Sequence, residues 1–418
     1  MSAGTSELAL PAASSLPWSA RIARRGLFER LAALPQGRLV IEDAEGTWRF
    51  GSGAREDLVA HVQVLDPGFY IELARGGSVA AAEAWVRGEW STPDLQRVMQ
   101  LMAANVDLLN TLDDRGSLAE RLALRVLHQL NRNSVRGSRR NIEAHYDLGN
   151  ALFETFLDPS MMYSSAIFPH PGATLEEASE AKLRRVCEQL ELGPDDHLLE
   201  IGTGWGGMAE YAARHTGCRV TTTTISREQH AYATQRIRAA GLADRVTVLL
   251  EDYRALSGRY DKLVSIEMIE AVGHRYLPHY FRACGALLEP HGLMLLQSIL
   301  IPDQRYEHAR RSVDFIQRYI FPGGFLPSTG AITALAGSQT DLQLLDVHDL
   351  TVDYALTLAE WRRRFNAGAE RIRAQGHGED FLRLWNYYFC YCEGGFRERA
   401  IRTAQFLFAK PGYRNPGA

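Results

Sequence analysis

The run Leu198-Leu199-Glu200-Ile201-Gly202-Thr203-Gly204-Trp205-Gly206-Gly207 decides the fold. An apolar strand runs into a glycine, the chain turns tightly, and a helix begins. Glycines at such a turn let the backbone approach a ligand closely, because a Cβ would collide with it. Gly202, Gly204 and Gly207 satisfy G-x-G-x-x-G, so the glycines alone do not exclude a dinucleotide. The next strand narrows the choice. It ends in Thr224-Ile225-Ser226, with no Asp or Glu to hold the ribose of a nicotinamide dinucleotide.

Outward from this loop, strands and helices alternate from Asn141 onward, the mark of an α/β fold. Strands are expected at His197–Gly202, Cys218–Ser226, Val246–Asp252, Leu263–Met268 and Leu293–Ile301. Two late strands, near Leu342–Val347 and Gln405–Ala409, flank a helical region from Leu356 to Tyr391. Thr174 and Glu177 have capping-box spacing. The helix behind them buries Leu183, Val186, Cys187 and Leu190. Gly241 stops the helix that follows Ser226.

Residues 1–118 read as a smaller α+β unit. Gly37 to Gly51 has the pattern of a hairpin turning near Asp43-Ala44-Glu45-Gly46. A strand at Val62–Val64 precedes a Pro67-Gly68 turn, and helical patterns follow through Val79–Val86 and Leu95–Leu108. Residues 119–140 form a basic connector. It carries Arg121, Arg125, Arg132, Arg136, Arg139 and Arg140, with Glu120 its one acid, and Leu118–Leu130 has helical spacing. It reads either as a solvated helix and linker or as a patch for anionic phospholipid headgroups, at roughly 1 kcal/mol per basic residue.

The 46% hydrophobic content and 23% charge are those of a globular protein, and a net charge of -4 gives no reason to expect nucleic acid. Cys187, Cys218, Cys284, Cys390 and Cys392 are scattered and make no CxxC pair, so neither a disulfide framework nor a zinc site is indicated. Met1–Trp18 has no basic segment leading into an apolar run, and Leu293–Ile301 is interrupted by Gln297 and Ser298, so neither signal peptide nor transmembrane helix is expected. The simplest compartment is the cytoplasm, with any membrane work done from the surface.

The E-I-G-T-G-W-G run resembles the first motif of class I S-adenosylmethionine (SAM) methyltransferases. In that class an acid ending the third strand commonly faces the adenine, which points to Asp252 in the order Glu251-Asp252-Tyr253. Further runs resemble the cyclopropane fatty acid synthase family, including its plant and mycolic-acid branches. They are His145 to Asn150 (HYDLGN), Phe156-Leu157-Asp158-Pro159 with Met162-Tyr163-Ser164, and Thr224-Ile225-Ser226 with Gln229. They continue with Ser265 to Gly273 (SIEMIEAVG), Tyr319 to Gly324 (YIFPGG) with Leu326-Pro327-Ser328, and Tyr387 to Phe396 (YYFCYCEGGF). Together they span nearly all of 141–418, in order.

The resemblance implies a Rossmann-like, seven-stranded methyltransferase domain over 141–418 and a small N-terminal domain. It implies SAM contacts at Tyr163, Ser164, Gly202, Gly204, Thr224, Ile225, Gln229, Asp252 and Tyr253. It also implies a bound bicarbonate acting as general base, held by Glu270, the backbone of Ile299, and Tyr354, with Cys392 lining the pocket. Two positions depart from the family pattern. Ser165 replaces a cysteine whose contact runs through the backbone, and Gln297 replaces a histidine, although some members also carry Gln. Glutamine can donate and accept a hydrogen bond but cannot carry a proton.

The implied reaction transfers a methylene group from SAM to the cis double bond of an unsaturated fatty acyl chain, forming a cyclopropane ring. An alkene is a poor nucleophile, so catalysis is largely alignment of the double bond with the methyl–sulfur bond. The carbocation formed needs a dry site and is stabilised by aromatic faces, each by roughly 0.5–2 kcal/mol. Phe315, Tyr319, Phe321 and Phe325 are the candidates, with at least half expected to be core packing. A base must then remove a proton from the new methyl. The nearest rival is a fatty acyl methyltransferase giving a methylene- or methyl-branched chain. A methyltransferase for a small polar acceptor and a non-enzymatic lipid binder are further alternatives. The expected partner is the unsaturated phospholipid acyl chain at the inner membrane face, and the resemblance alone allows a homodimer.

Overall fold

The computed structural model describes residues 16–51, 54–108 and 149–414. The basic connector and most of the HYDLGN run lie outside the described residues. The chain divides into two compact units, Met1–Leu118 and Ala119–Ala418.

The first unit holds helices α1 (Trp18–Leu31), α2 (Gly68–Arg87) and α3 (Leu95–Ala104). Its sheet has strands β1 (Arg38–Asp43), β2 (Gly46–Phe50), β3 (Val59–Val64) and β4 (Trp90–Ser91), in the order β2-β1-β3-β4. The expected hairpin is β1–β2, closed by Asp43 opposite Gly46. Gly37 lies just ahead of it at φ 72°, where a Cβ would meet the Leu58 carbonyl oxygen at 2.5 Å.

The second unit is built on a seven-stranded sheet. Its strands are β5 (His197–Ile201), β6 (Arg219–Thr224), β7 (Val246–Leu250), β8 (Tyr260–Ile266), β9 (Leu288–Leu300), β10 (Gln343–Asp349) and β11 (Arg402–Ala409). The order is β10-β11-β9-β8-β5-β6-β7. β7, β6, β5, β8 and β9 run parallel, and β11 is antiparallel to both of its neighbours. The expected strands are all present, with ends shifted by a few residues; β9 begins five residues earlier than the apolar run indicated.

Period-two alternation assigns successive side chains to opposite faces. Leu198, Leu293 and Leu295 face a cluster with Leu183, Val186, Met208, Ala212 and Ile237. Leu199, Met294 and Leu296 face another with Tyr280, Phe281, Ile332 and Ala336. The first cluster is supplied by α5 (Leu175–Gln189), α6 (Gly207–Thr216) and α7 (Arg227–Ala239), the second by α8 (Leu277–Leu287) and α11 (Thr329–Gln339). Short helices α9 (Asp303–Ala309) and α10 (Phe315–Tyr319) lie between α8 and α11 in the chain. The capping box at Thr174 and Glu177 starts α5 as its spacing predicts. The helix α11 was not expected: its run Thr329–Gln339 is rich in small residues and lacks a clear apolar stripe.

A third cluster is aromatic. Helix α4 (Asn150–Phe156) inserts Phe156 among Trp361 and Phe365 of α12 (Thr351–Ala367) and Trp385 and Phe389 of α14 (Glu379–Arg397), with ring centroids 5.5–6.1 Å apart. A short helix α13 (Ala369–Ala374) joins α12 to α14. Among the described residues no helix is long and apolar enough to cross a membrane.

Candidate active site

The glycine loop leaves the carboxyl end of β5 with three positive φ angles, 106° at Gly202, 51° at Gly204 and 84° at Gly206. A side chain at Gly202 would press on Met268, whose Cβ stands 3.2 Å from the position a Cβ would take. At Gly207 a Cβ would lie 2.3 Å from the carbonyl oxygen of Ser160, just upstream of Tyr163 and Ser164. The glycines therefore dock the loop against two other site segments as well as keeping it slim. Trp205 is buried and donates from Nε1 to Asn150 at 2.7 Å.

β6 is buried yet carries four consecutive threonines, and each hydroxyl has a partner. Thr221 pairs with His197, Thr222 donates to the carboxylate of Glu200, Thr223 to the Glu251 carbonyl, and Thr224 to Gln229 Oε1 at 2.9 Å. Thr224 and Gln229, two of the expected SAM contacts, thus hold each other at the strand's carboxyl end, beside Ile225. Asp252 differs from expectation. Burial raises its pKa, but the Arg254 guanidinium, at 2.6–2.7 Å, outweighs that and holds its carboxyl below the usual range. The acid expected to face an adenine is paired with Arg254. Tyr253 beside it packs edge-on against Tyr280.

Tyr163 hydrogen-bonds Tyr388 hydroxyl to hydroxyl at 3.1 Å and packs near Trp361 and Phe321. Of the four aromatics proposed for the cation, Phe321 is the one whose ring neighbours Tyr163. Phe315 packs on Tyr387, Phe325 joins the core beside Tyr306, and Tyr319 is exposed under Arg318. Cys392 is half-buried and burial pushes its thiol up, which favours the neutral thiol; Cys390 is fully buried.

Of the groups expected to hold bicarbonate, Tyr354 meets Glu267, joined there by Ser165 and Gln297, while the Ile299 N–H meets Glu270. Glu267 follows β8 and lies at φ 48°, a region that costs a non-glycine residue on the order of 1–3 kcal/mol. Its carboxylate accepts from the Ser165 backbone N–H at 2.9 Å, Gln297 Nε2 at 2.8 Å and the Tyr354 hydroxyl at 2.7 Å. The orientation of Gln297 is fixed from outside. Arg185 can only donate, and its Nε meets Gln405 Oε1 at 3.0 Å; Gln405 Nε2 then meets Gln297 Oε1 at 3.0 Å. That leaves the Gln297 amide nitrogen facing Glu267.

Glu270, one turn on, accepts on one oxygen from the Ile299 N–H at 2.6 Å and the Ser298 hydroxyl at 2.9 Å. Its other oxygen is buried and has no hydrogen-bond partner. Burial and the adjacent Glu267 charge push Glu270 up to about 8. Burial also raises Glu267, against the opposing pull of its donors and of buried Lys182. Lys182 donates to Ser164 at 2.8 Å, and burial lowers it to about 8. The two carboxyls are thus distinguished: Glu267 is surrounded by donors, and Glu270 favours its neutral form. Bicarbonate does not fit as expected, because Ser165, Gln297 and Tyr354 already bind Glu267, and Ile299 binds Glu270.

Sequence reasoning missed Glu267 and Lys182. Glu267 stood in the quoted run three residues before Glu270. Lys182 interrupts the apolar stripe of α5, four residues before Val186, which is a readable anomaly.

The profile of one protein family, described as mycolic acid cyclopropane synthetase, matches residues 133–406. The chain belongs to this family. It is 37% identical over 94% of its length to the tuberculostearic acid methyltransferase UfaA1 of Mycobacterium tuberculosis, covering 92% of that protein. It is 34% identical over 87% of its length to the cyclopropane-fatty-acyl-phospholipid synthase of Escherichia coli, covering 91% of it. A solved mycolic acid cyclopropane synthase, CmaA1 complexed with SAH and CTAB, superposes with a TM-score of 0.61 at 31% identity, over 65% of this chain and 98% of that one. This family member is a SAM-dependent lipid-modifying enzyme with the class I methyltransferase fold.

Two outcomes follow for the synthetase-family site. Gly207→Ala forces its methyl onto a backbone oxygen and should weaken SAM binding at least ~10-fold, a loss of about 1.4 kcal/mol by calorimetry. Glu270, ordinarily near 4.5, favours its protonated form up to about 8. Its contribution to stability is therefore full below about 4.5 and lost as pH rises through about 8. Glu270→Gln is neutral throughout, so its melting temperature should gain on the wild type between acid and mildly alkaline buffer.

Proposed function

We propose that the enzyme transfers the SAM methyl to the cis double bond of an unsaturated acyl chain on phospholipid and closes a cyclopropane ring. The observation that carries this reading is a half-buried carboxylate, Glu267, ringed by donors and placed beside the glycine loop through Met268. A carbocation reaction needs one base in a dry site and little else. Tyr163, Phe321 and Trp361 supply aromatic surface nearby. SAM would lie along Gly202 and Gly204, with Thr224, Ile225 and Gln229 at the ribose end and Tyr253 beside the adenine. Ser164, fixed by Lys182, and Tyr163 would border the reacting methyl.

In this reading the double bond attacks the methyl carbon, the sulfur leaves with its bonding pair as a thioether, and a cation remains on the acyl chain. Loss of a methyl proton lets the C–H electron pair form the third ring bond. The phospholipid substrate is supported by the name of the Escherichia coli relative. The enzyme would then work as a peripheral protein on the cytoplasmic membrane face.

A second reading is favoured by one observation: the relative matched over 94% of the chain is named a methyltransferase. A hydride shift before proton loss would give a methylene-branched chain from the same cation. Expression in a host rich in monounsaturated phospholipid and lacking cyclopropane lipids, with methyl-labelled methionine, separates the two. A labelled one-carbon gain that resists mild hydrogenation is the expected result. A labelled product that takes up hydrogen would replace ring closure with branching, and no labelled lipid would remove the phospholipid substrate.

A further inference from the structure

We propose that Glu267 is a built-in general base that occupies the cage expected for bicarbonate, so this enzyme works without that ion. The proposal rests on the reading that SAM's methyl is delivered to an alkene. Its basis is geometric. Three donors converge on one carboxylate: the Ser165 N–H, the Gln297 amide and the Tyr354 hydroxyl, all at 2.7–2.9 Å. The remaining backbone donor assigned to the ion, the Ile299 N–H, is taken by Glu270 at 2.6 Å.

A side-chain carboxylate and a bicarbonate present the same planar O–C–O edge to such donors. One cage holds one of them, since two oxyanions sharing buried donors repel. The backbone supports this assignment. Glu267 adopts φ 48°, a conformation ordinarily left to glycine, and strain of this kind persists where the surroundings over-determine it. The amide at Gln297 is locked by Gln405 and Arg185 so that it can only donate toward Glu267. Glutamine suits this role, because its amide N–H donates but does not titrate, which leaves Glu267 the acceptor.

The step balances without an external reactant. A C–H bond of the transferred methyl breaks, its electron pair closes the ring onto the cationic carbon, and the proton bonds to a Glu267 oxygen. Loss of that proton to solvent after product release restores the carboxylate. Should the cation lose its proton after a hydride shift, the same oxygen takes it.

The test pairs binding with turnover. In carbonate-free buffer the wild type should form labelled lipid within about twofold of its rate with millimolar bicarbonate added, whereas Glu267→Gln should lose roughly 10²–10⁴-fold. Glu267→Gly relaxes the backbone and empties the cage, so it should regain activity when bicarbonate is supplied. Carbon-13 bicarbonate NMR should show binding to the glycine variant and none to the wild type, and SAM binding by calorimetry shows that each variant is folded. Bicarbonate binding to the wild type, dependence of its turnover on the ion, or an active Glu267→Gln would overturn the proposal. If the wild type makes no labelled lipid, the alkene reading fails by itself, while the NMR comparison still decides what fills the cage.

Discussion

Withdrawing one carboxylate, Glu267, partly from solvent constrains the groups that meet it. An unpaired charge in a dry interior costs several kcal/mol, so Glu267 has to be met by donors from wherever the fold can bring them. They come from far apart in the chain: Ser165 from the segment before α5, Gln297 from the middle of β9, and Tyr354 from the first turns of α12. Tyr354 in turn stacks on Phe396 of α14 at 4.5 Å. Sheet, cap helices and loop are held to one geometry by a single charge.

The cofactor side of the pocket is governed by a different constraint, close approach. The glycine loop leaves no room for a side chain at Gly207, which faces the Ser160 carbonyl, and little at Gly202 beside Met268, and the threonine hydroxyls of β6 each have a partner. The aromatic cluster is built from rings rather than from charges, with Tyr163 linked to Tyr388 and packed near Trp361.

Much of this was legible in the sequence. The run from Leu198 to Gly207 announced a strand, a loop and a helix, and near-continuous apolar runs such as Leu293–Leu296 marked further strands, because buried parallel strands need apolar side chains on both faces. The capping box at Thr174 could be read because its chemistry is local. What could not be read was pairing across long separations. The pairing of Asp252 with Arg254 is not of that kind: its partner stands two residues away and was open to reading. Tyr354, assigned to an ion, meets a side chain of the SIEMIEAVG motif instead, and only the turn after β8 shows that Glu267 folds back toward it. Lys182 was the partial exception, a charge on an apolar stripe.

The last described strand ties the sheet's antiparallel edge to the polar cluster. β11 lies between β9 and β10, antiparallel to both, so these two are joined only through it. Gln405, which orients Gln297, belongs to that strand. A register slip of β11 by one residue would turn Gln405 to the other face and release the Gln297 amide, while leaving the parallel strands and the glycine loop paired as they are.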